Sequence, residues 1–360
     1  MDLPDEIYVG LDDLDSGSLH IRRWGRGSDV IGTKLRFRKG DIVFGRRRAY
    51  QRKLAVAEMD GICSAHAMVV RAKPNVVLPE FLPFLMMSDR FMNRAVEISV
   101  GSLSPTINWS TLKLEEFDLP ALDQQRRMAE ILWAVDEVSL YHDSLSAVLE
   151  QTRSSVVGEH FKVAASTGRR QNLGSVADVS YGITLGGYRA TLLEQRPYLR
   201  VANVLRERLD LSEIKTINCT RGEAARFALR NGDVLVVEGH ANVKEIGRAA
   251  VWCGELSPML HQNHLMRVRC SNVLLPDYLN LYINSARGRA YIRSHAKSTS
   301  GLNTINSTVL KELLVPISPI ENQTKLTTTI RQLDSAFASI KSAQVQLRSW
   351  LRCFVTEVVV

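Results

Sequence analysis

From residue 7 to about residue 120, short β-branched runs alternate with turn residues: Val30-Ile31, Asp41-Ile42-Val43-Phe44, Leu54-Ala55-Val56-Ala57 and Ala67-Met68-Val69-Val70. Runs of this length, bounded by Gly, Asp and charged residues, predict strands. At Leu78-Pro79-Glu80 the period lengthens, and Phe81 to Met87, continued through Phe91 and Met92, has helical spacing. Beyond residue 200 the succession returns. Val234-Leu235-Val236-Val237, Ala249-Ala250-Val251-Trp252 and Leu265-Met266-Arg267-Val268 predict strands, and Asp277 through Ile292 predicts a helix. Each stretch is therefore expected to fold as a mixed α/β unit.

Two other segments carry a different pattern. Met128, Ile131, Val135, Val138, His142, Leu145, Leu149, Thr152 and Val156 follow alternating steps of three and four. Leu326, Ile330, Leu333, Phe337, Ile340, Gln344, Leu347, Leu351, Phe354 and Val358 do the same more cleanly. This a/d spacing, with no interior proline and Gly158 the sole glycine, predicts two long helices of the coiled-coil type. Pro120 and Pro319 stand just upstream of the two helix starts. About 35 residues at ~1.5 Å each make a helix of about 50 Å. An apolar seam must be buried, and the duplicate helix of the same chain is the most economical partner. An antiparallel pair would hold the two units roughly one to one and a half DNA turns apart.

The two halves are one module written twice. Gly40-Asp41-Ile42-Val43 answers Gly232-Asp233-Val234-Leu235, and Leu78-Pro79-Glu80-Phe81-Leu82 answers Leu275-Pro276-Asp277-Tyr278-Leu279. Thr106-Ile107-Asn108 then answers Thr304-Ile305-Asn306, Leu112-Lys113 answers Leu310-Lys311, and Asp123-Gln124-Gln125 answers Glu321-Asn322-Gln323. Asp136 and Asp334 extend the register. A duplicated whole domain presents two similar surfaces to a partner with two similar sites. The copies differ at their start. Leu173-Gly174-Ser175-Val176 through Leu193 precedes Tyr198 in the second, whereas the first opens almost directly at Tyr8. Either the chain starts late or another segment completes the first domain.

Composition narrows the partner. The 360 residues, 45% hydrophobic, suffice for two globular domains, and the net charge of +8 favours an acidic partner. The charge is concentrated: Arg22 to Lys53 holds twelve Lys or Arg and only two acids, Asp29 and Asp41. Such clustering suits phosphate. Five scattered cysteines without a C-x-x-C pair indicate neither a disulfide framework nor a zinc ribbon. Met1 to Val9 is acidic and lacks the apolar run of a signal peptide, and no stretch reaches the ~18 apolar residues of a membrane span. A cytoplasmic protein without membrane contact is expected.

Candidate DNA contacts follow from these patterns. Between two predicted strands, Arg46, Arg47, Arg48, Tyr50, Arg52 and Lys53 form a hairpin loop whose arginine forks suit guanine edges; a solvated loop tip is the plain alternative. The equivalent second-copy loop, Glu238 to Arg248, offers His240, Asn242, Lys244 and Arg248, so unlike sequences should be read. Polar loops with small hydroxyls follow each short helix. They place Ser102, Thr106 and Asn108 in one copy and Thr304 and Asn306, after Ser298 to Gly301, in the other, suited either to phosphate or to helix capping. Tyr188 and Arg189 lie in a glycine-containing loop, Tyr181 to Arg189, that matches no nucleotide-binding glycine motif.

Catalytic constellations are sparse. His261-Gln262-Asn263-His264 lacks the spacing and acid of a zinc helix, and there is no nucleophile elbow and no Asn-Pro-Pro-aromatic tetrapeptide. Glu238, Glu245 and Lys244 fit a charged turn as well as a nuclease centre. No catalytic, cofactor or metal residue is assigned.

Taken in order, Tyr8-Val9-Gly10-Leu11-Asp12-Asp13, Gly40 to Gly45, Asp60-Gly61-Ile62-Cys63-Ser64, Leu78 to Leu82 and Leu119 to Gln125, with weaker forms in the second copy, resemble the specificity subunits of Type I restriction-modification systems. The resemblance covers almost the whole chain. It implies an α/β fold of two duplicated target recognition domains, 1–120 and 166–317, separated by two long helices, 121–165 and 318–360, forming an antiparallel coiled coil. It further implies a non-catalytic reader of bipartite double-stranded DNA that recruits modification (methyltransferase) subunits, two in number, and restriction (nuclease-translocase) subunits. S-adenosylmethionine, ATP and Mg would belong to those partners. The rival expectations are a stand-alone nuclease or methyltransferase with DNA-reading domains, and a basic coiled-coil scaffold without sequence preference.

Overall fold

The computed structural model describes residues 6–167, 169–299 and 301–358. Met1 to Asp5 of the N-terminal stretch, Ser300 of the second polar loop and the side chain of Val358 at the end of the second seam lie outside the described residues. The chain forms two compact units, Met1–Ser146 with Ser339–Val360, and Ala147–Ala338. Each long helix contributes one half to each unit.

In the first unit the strands are β1 (Ile7–Val9), β2 (Gly25–Arg26), β3 (Lys34–Phe37), β4 (Ile42–Gly45), β5 (Leu54–Val56), β6 (Gly61–Ser64) and β7 (Ala67–Val70). They make two sheets, ordered β2-β1-β6-β3 and β5-β4-β7. β4 explains itself. Ile42 and Phe44 point into one apolar cluster with Met68, Phe81, Phe91 and Leu132, while Val43 points into another with Val9, Phe37 and Cys63. With both faces buried, this strand reads as a continuous apolar run rather than an alternation. Val30-Ile31 is a correction: no strand forms there, and Ile31 is fully exposed at 103%. Gly32 follows at φ 102° and no neighbour pairs with the segment, so β propensity has no sheet to join.

The helix expected from Phe81 is two, α1 (Leu82–Met87) and α2 (Asp89–Glu97). Ser88 turns out of the helix at ψ 152°, and its hydroxyl accepts from the Phe91 N–H at 3.2 Å, capping α2. α3 (Trp109–Leu112) and the long α4 (Leu122–Thr167) follow.

The second unit opens with β8 (Arg169–Asn172), α5 (Leu173–Val176) and β9 (Ala177–Tyr181), then β10 (Glu194–Leu199), β11 (Lys215–Cys219) and α6 (Arg221–Phe227). β12 (Val234–Val237), β13 (Gly239–His240), β14 (Ala249–Val251), β15 (Leu260–His261) and β16 (Leu265–Cys270) come next. α7 (Pro276–Asn284) and α8 (Ala286–His295) are broken at Ser285, which caps α8 as Ser88 caps α2. β17 (Lys297–Thr299), β18 (Leu302–Thr304), α9 (Ser307–Lys311), β19 (Leu314–Ile317) and α10 (Ile320–Val358) complete the chain. The central sheet, β14-β12-β16-β9, corresponds to β5-β4-β7 with one strand added.

The duplication extends to single hydrogen bonds. Asp41 and Asp233 each take a bidentate arginine, Arg71 at 2.5 and 2.6 Å and Arg269 at 2.7 Å, and each accepts the N–H of the residue three before it. Gln125 Oε1 accepts from Leu78 N–H at 2.8 Å, and its amide donates to the carbonyls of Val76 and Pro120; Gln323 repeats this with Leu275, Val273 and Ser318. Each glutamine ties the first turn of a long helix to the loop ahead of α1 or α7.

Within the first unit α4 and α10 run antiparallel. Leu132 shares a cluster with Val355, while eleven residues further along α4 Asp143 accepts hydrogen bonds from Gln344 and Arg348. Within the second unit Arg153 pairs with Asp334 at 2.6 Å, and Val157 and Phe161 share a core with Leu326 and Ile330. The described seam positions of α10 are all buried or half-buried. On α4 the buried line instead runs through Gln125, Ala129, Leu132, Ser146, Val157 and Phe161, about one residue off the expected seam. Ile131, Val138 and Leu145 are exposed at 43–47%. A helix that packs against sheet-borne side chains as well as a partner helix buries a composite stripe, which a/d spacing alone misplaces.

Candidate nucleic-acid interface

The β4–β5 hairpin forms as expected, closing through a short 3₁₀ turn at Ala49–Gln51. Arg48 and Arg52 flank that turn in the left-handed region, at φ 58° and 50°. Non-glycine residues adopt that region when the surroundings over-determine it. Here those surroundings include the polar loop before α3. Arg48 N–H donates to the Pro105 carbonyl at 2.7 Å, the Arg46 carbonyl accepts from Ile107 N–H at 2.9 Å, and Arg47 bridges Thr106. The Arg48 guanidinium reaches Ser104 Oγ at 3.1 Å. Two loops singled out separately in the sequence are thus one surface.

Among the described residues no carboxylate lies within ion-pair distance of Arg46, Arg47 or Arg48. Tyr50, Ser102 and Asn108 are exposed, and Thr106 is half-exposed. Arg52 and Lys53 are differently placed. Arg52 is held by Asp89 at 2.5 Å, and Lys53 Nζ donates to the Leu11 carbonyl at 2.6 Å. Both brace the hairpin base. Leu103, 92% exposed at the tip of the polar loop, is not singled out by the sequence, where it stands between two serines in an otherwise polar run.

The second unit repeats the arrangement with other side chains. β13 pairs with β18, setting Gly239 opposite Thr304 and His240 opposite Asn303, and Asn303 Nδ2 donates to the Ala241 carbonyl at 2.9 Å. His240 Nδ1 accepts from Asn242 N–H, and Asn242 Oδ1 accepts from Lys244 N–H, so both side chains shape the turn. Lys244 is exposed.

Three expected contacts are corrected. Arg248 is 9% exposed, with its guanidinium on the Val201 carbonyl at 3.0 Å and near Glu245. Asn306 caps α9, its side-chain carbonyl accepting from Val309 N–H at 2.9 Å. Arg189 is 5% exposed and donates to Glu223 at 2.8 Å and to the carbonyls of Thr184 and Asn218, a pairing with Glu223 that holds its guanidinium charge firmly. Each is a buried or committed group whose removal would unsettle its loop. Tyr188, beside Arg189, remains 61% exposed.

Sequence reasoning missed a cation cluster next to Lys244. Arg206 and Arg289 both donate to the Lys244 carbonyl. Burial, together with the charges of Arg206 and Arg293, pulls the Arg289 guanidinium below its usual range, with Glu245 as the opposing acid. Arg287, Arg289 and Arg293 stand within one short helix, α8, a signal the sequence did contain. The His261–His264 pair is split. His261 is buried with Nδ1 on the Phe227 carbonyl and its pKa pushed down to about 4 by burial, while His264 pairs with Glu238 at 2.8 Å.

Residues 30–151 match the profile of the Type I restriction modification DNA specificity domain. That stretch of the chain is similar to a DNA specificity domain. The matched stretch contains the arginine hairpin, the polar loop packed on it, and all of the first-unit half of α4. Among curated relatives, the Type I restriction enzyme EcoKI specificity subunit of Escherichia coli K12 is 23% identical over 311 residues, 80% of this chain and 65% of that protein. The StySPI specificity subunit of Salmonella potsdam is 23% identical over 310 residues, with the same coverage. The chain thus spans 65% of the length of these relatives. The Type I S subunit of M. genitalium superposes with a TM-score of 0.59 at 14% identity, over 99% of this chain and 90% of that one. A chain from a type I R-M assembly gives the same TM-score at 20% identity, covering 99% and 91%. The specificity-domain fold of two mixed α/β units with paired long helices is the fold of those proteins.

Proposed function

We propose that this chain is the sequence-reading subunit of a Type I restriction-modification complex, and that each unit contacts one half of a bipartite double-stranded DNA target. One observation carries the reading. An arginine run, Arg46 to Arg48, with no acidic partner among the described residues is fastened to a hydroxyl-bearing loop in the first unit, and the equivalent loop pair of the second unit carries different side chains on the same hydrogen-bonded frame. Phosphate contacts fix position and base-edge contacts specify sequence. Arg46, Arg47, Arg48, Tyr50, Ser102, Thr106 and Asn108 serve the first half-site. Lys244, His240, Thr304 and Tyr188, with Arg206, Arg289 and Arg293, serve the second.

The chain itself is the reader and carries no chemistry of its own. Methylation with S-adenosylmethionine and ATP- and Mg-dependent cleavage belong to modification and restriction subunits, two of the former. Ile131, Val138, Tyr141 and Leu145, exposed along one side of α4, supply an apolar strip for a modification subunit. No described helix is long and apolar enough to cross a membrane. Selection of bound fragments from random duplex DNA, with the chain and its modification partner together, tests the reading. Two conserved half-sites with a fixed gap are expected; a single contiguous motif, or no preference, overturns it.

A further inference from the structure

A lone leucine on a protein surface is ordinary, since roughly half or more of any folded surface is apolar. Leu103 differs in how it is held and in what surrounds it. Val100 and Thr106 exchange both backbone hydrogen bonds, at 3.1 and 2.9 Å, and close the loop at its base. Inside it Gly101 takes φ 106°, and Thr106 Oγ1 donates to the Ser104 carbonyl at 3.1 Å. Ile107, fully buried, fastens the end of the loop to the core. Gly101, Ser102 and Leu103 form the exposed apex, so the leucine is presented on a fixed two-stranded ribbon. Cations line the same loop. Arg47 bridges Thr106, and the Arg48 guanidinium lies on Ser104 Oγ. Arg46 Nε is shielded from solvent with no hydrogen-bond partner among the described residues, a donor that costs free energy until an acceptor meets it. At the matching position the second unit has Gly301, at φ 81° with open space around it.

We propose that Leu103 reads the C5-methyl group of a thymine in the first half-site. The inference rests on the DNA-reading function proposed above and adds a named base to it. A two-stranded ribbon fits the major groove, where the thymine methyl is the one apolar group on the base edges. Every other edge presents donors and acceptors, which a leucine would strip of water without replacing their hydrogen bonds. The arginines around the apex settle the class of partner. Three cations with no acid beside them among the described residues suit a polyanion, and they take phosphate or guanine next to the thymine. Gly301 offers no such contact, so methyl reading at this position belongs to the first unit.

The test uses the full chain with its modification subunits on the duplex that the selection returns. Each thymine of the first half-site is replaced in turn by deoxyuridine, which lacks only the methyl group, and binding is measured for wild type, Leu103→Ala and Leu103→Met. At one thymine the wild type should lose about fourfold in affinity, the worth of one buried methyl. Leu103→Ala should bind the thymine and deoxyuridine duplexes equally, and Leu103→Met should keep the discrimination. Deoxyuridine in the second half-site should affect all three proteins alike. No loss at any thymine, a loss that Leu103→Ala retains in full, or a first half-site without an A·T pair would each overturn the assignment while bipartite reading stands. A Leu103→Ala chain that assembles less well with the modification subunits in the absence of DNA would give the apex to that protein and overturn it too. A selection that returns no two-part site removes the DNA-reading function itself, and this inference with it.

Discussion

Arg46, Arg47 and Arg48 differ from most arginines of this chain in having no carboxylate within ion-pair distance among the described residues. No acid among the described residues neutralises their charge, whereas Arg52, Arg189 and Arg248 are committed to the fold. Changing the three together to alanine is expected to weaken binding at the first half-site, flatten the salt dependence by up to ~0.9 for each phosphate no longer neutralised, and leave the second half-site preference intact. Gel shifts with each half-site altered in turn check this; equal losses at both would contradict the assignment. Acid–base behaviour also resolves to residues. The hydrogen bond to Asp136 at 2.5 Å, against the penalty of burial and with help from Glu58, raises His20 above its ordinary 6.5. Its contribution is fully present below pH ~6.5 and lost as pH rises through the raised value. Burial of His261 works in the opposite sense. That residue favours the fold above pH ~6.5 and withdraws support as pH falls toward about 4. Denaturant titrations of the full chain should therefore show stability falling on the alkaline side, and His20→Gln should abolish that fall while sparing the acid limb.

Elements show what the sequence could and could not convey. α10 was legible because its buried side follows one unbroken a/d register, from Leu326 through Gln344 to Phe354. On α4 the same spacing misled by one position, since Leu132 and Ala129 face sheet-borne residues and α1 while Asp143 and Arg153 face α10 or its side chains. The break of the short helices at Ser88 and Ser285 was equally invisible to apolar periodicity, which runs straight across a capping serine. Asn306 and Asn108, identical in the alignment of the copies, divide in role: only Asn306 bonds the helix it precedes. The glutamine pair, in contrast, stood out as a repeated signpost, and the structure supplies the reason. Gln323 is fully buried and makes three hydrogen bonds to backbone groups on two segments. At about 1 kcal/mol net for each bond, with an added cost for stranded partners, Gln323→Ala should cost about 3–5 kcal/mol. Gln125→Ala should behave likewise. Urea midpoints with unchanged slopes would confirm a loss of anchoring, and a change under about 1 kcal/mol would show that the loop is held by other means.

At the scale of the whole molecule, duplication decides how function can be divided. Two units built on the same frame, with Asp41–Arg71 and Asp233–Arg269 as matching bolts, can change their loops independently because the bolts lie away from the loop tips. The first unit concentrates unpaired arginines in a hairpin, which the sequence displayed as a local run. The second assembles its charge from Arg206, Lys244, Arg289 and Arg293, contributed by three segments far apart in the chain, which no local run could display. Base-edge readers and phosphate anchors leave different traces in binding data. Replacing Arg206, Arg289 and Arg293 with alanine should lower affinity for all duplexes alike and reduce the log–log salt slope by about 2–3. The preferred second half-site should stay the same, since His240 and Thr304 keep their backbone pairing on β13 and β18. Binding isotherms at several salt concentrations, run beside a repeated selection, separate the outcomes. An altered half-site sequence with an unchanged salt slope would make the cluster a base reader and move the phosphate anchor of the second unit elsewhere.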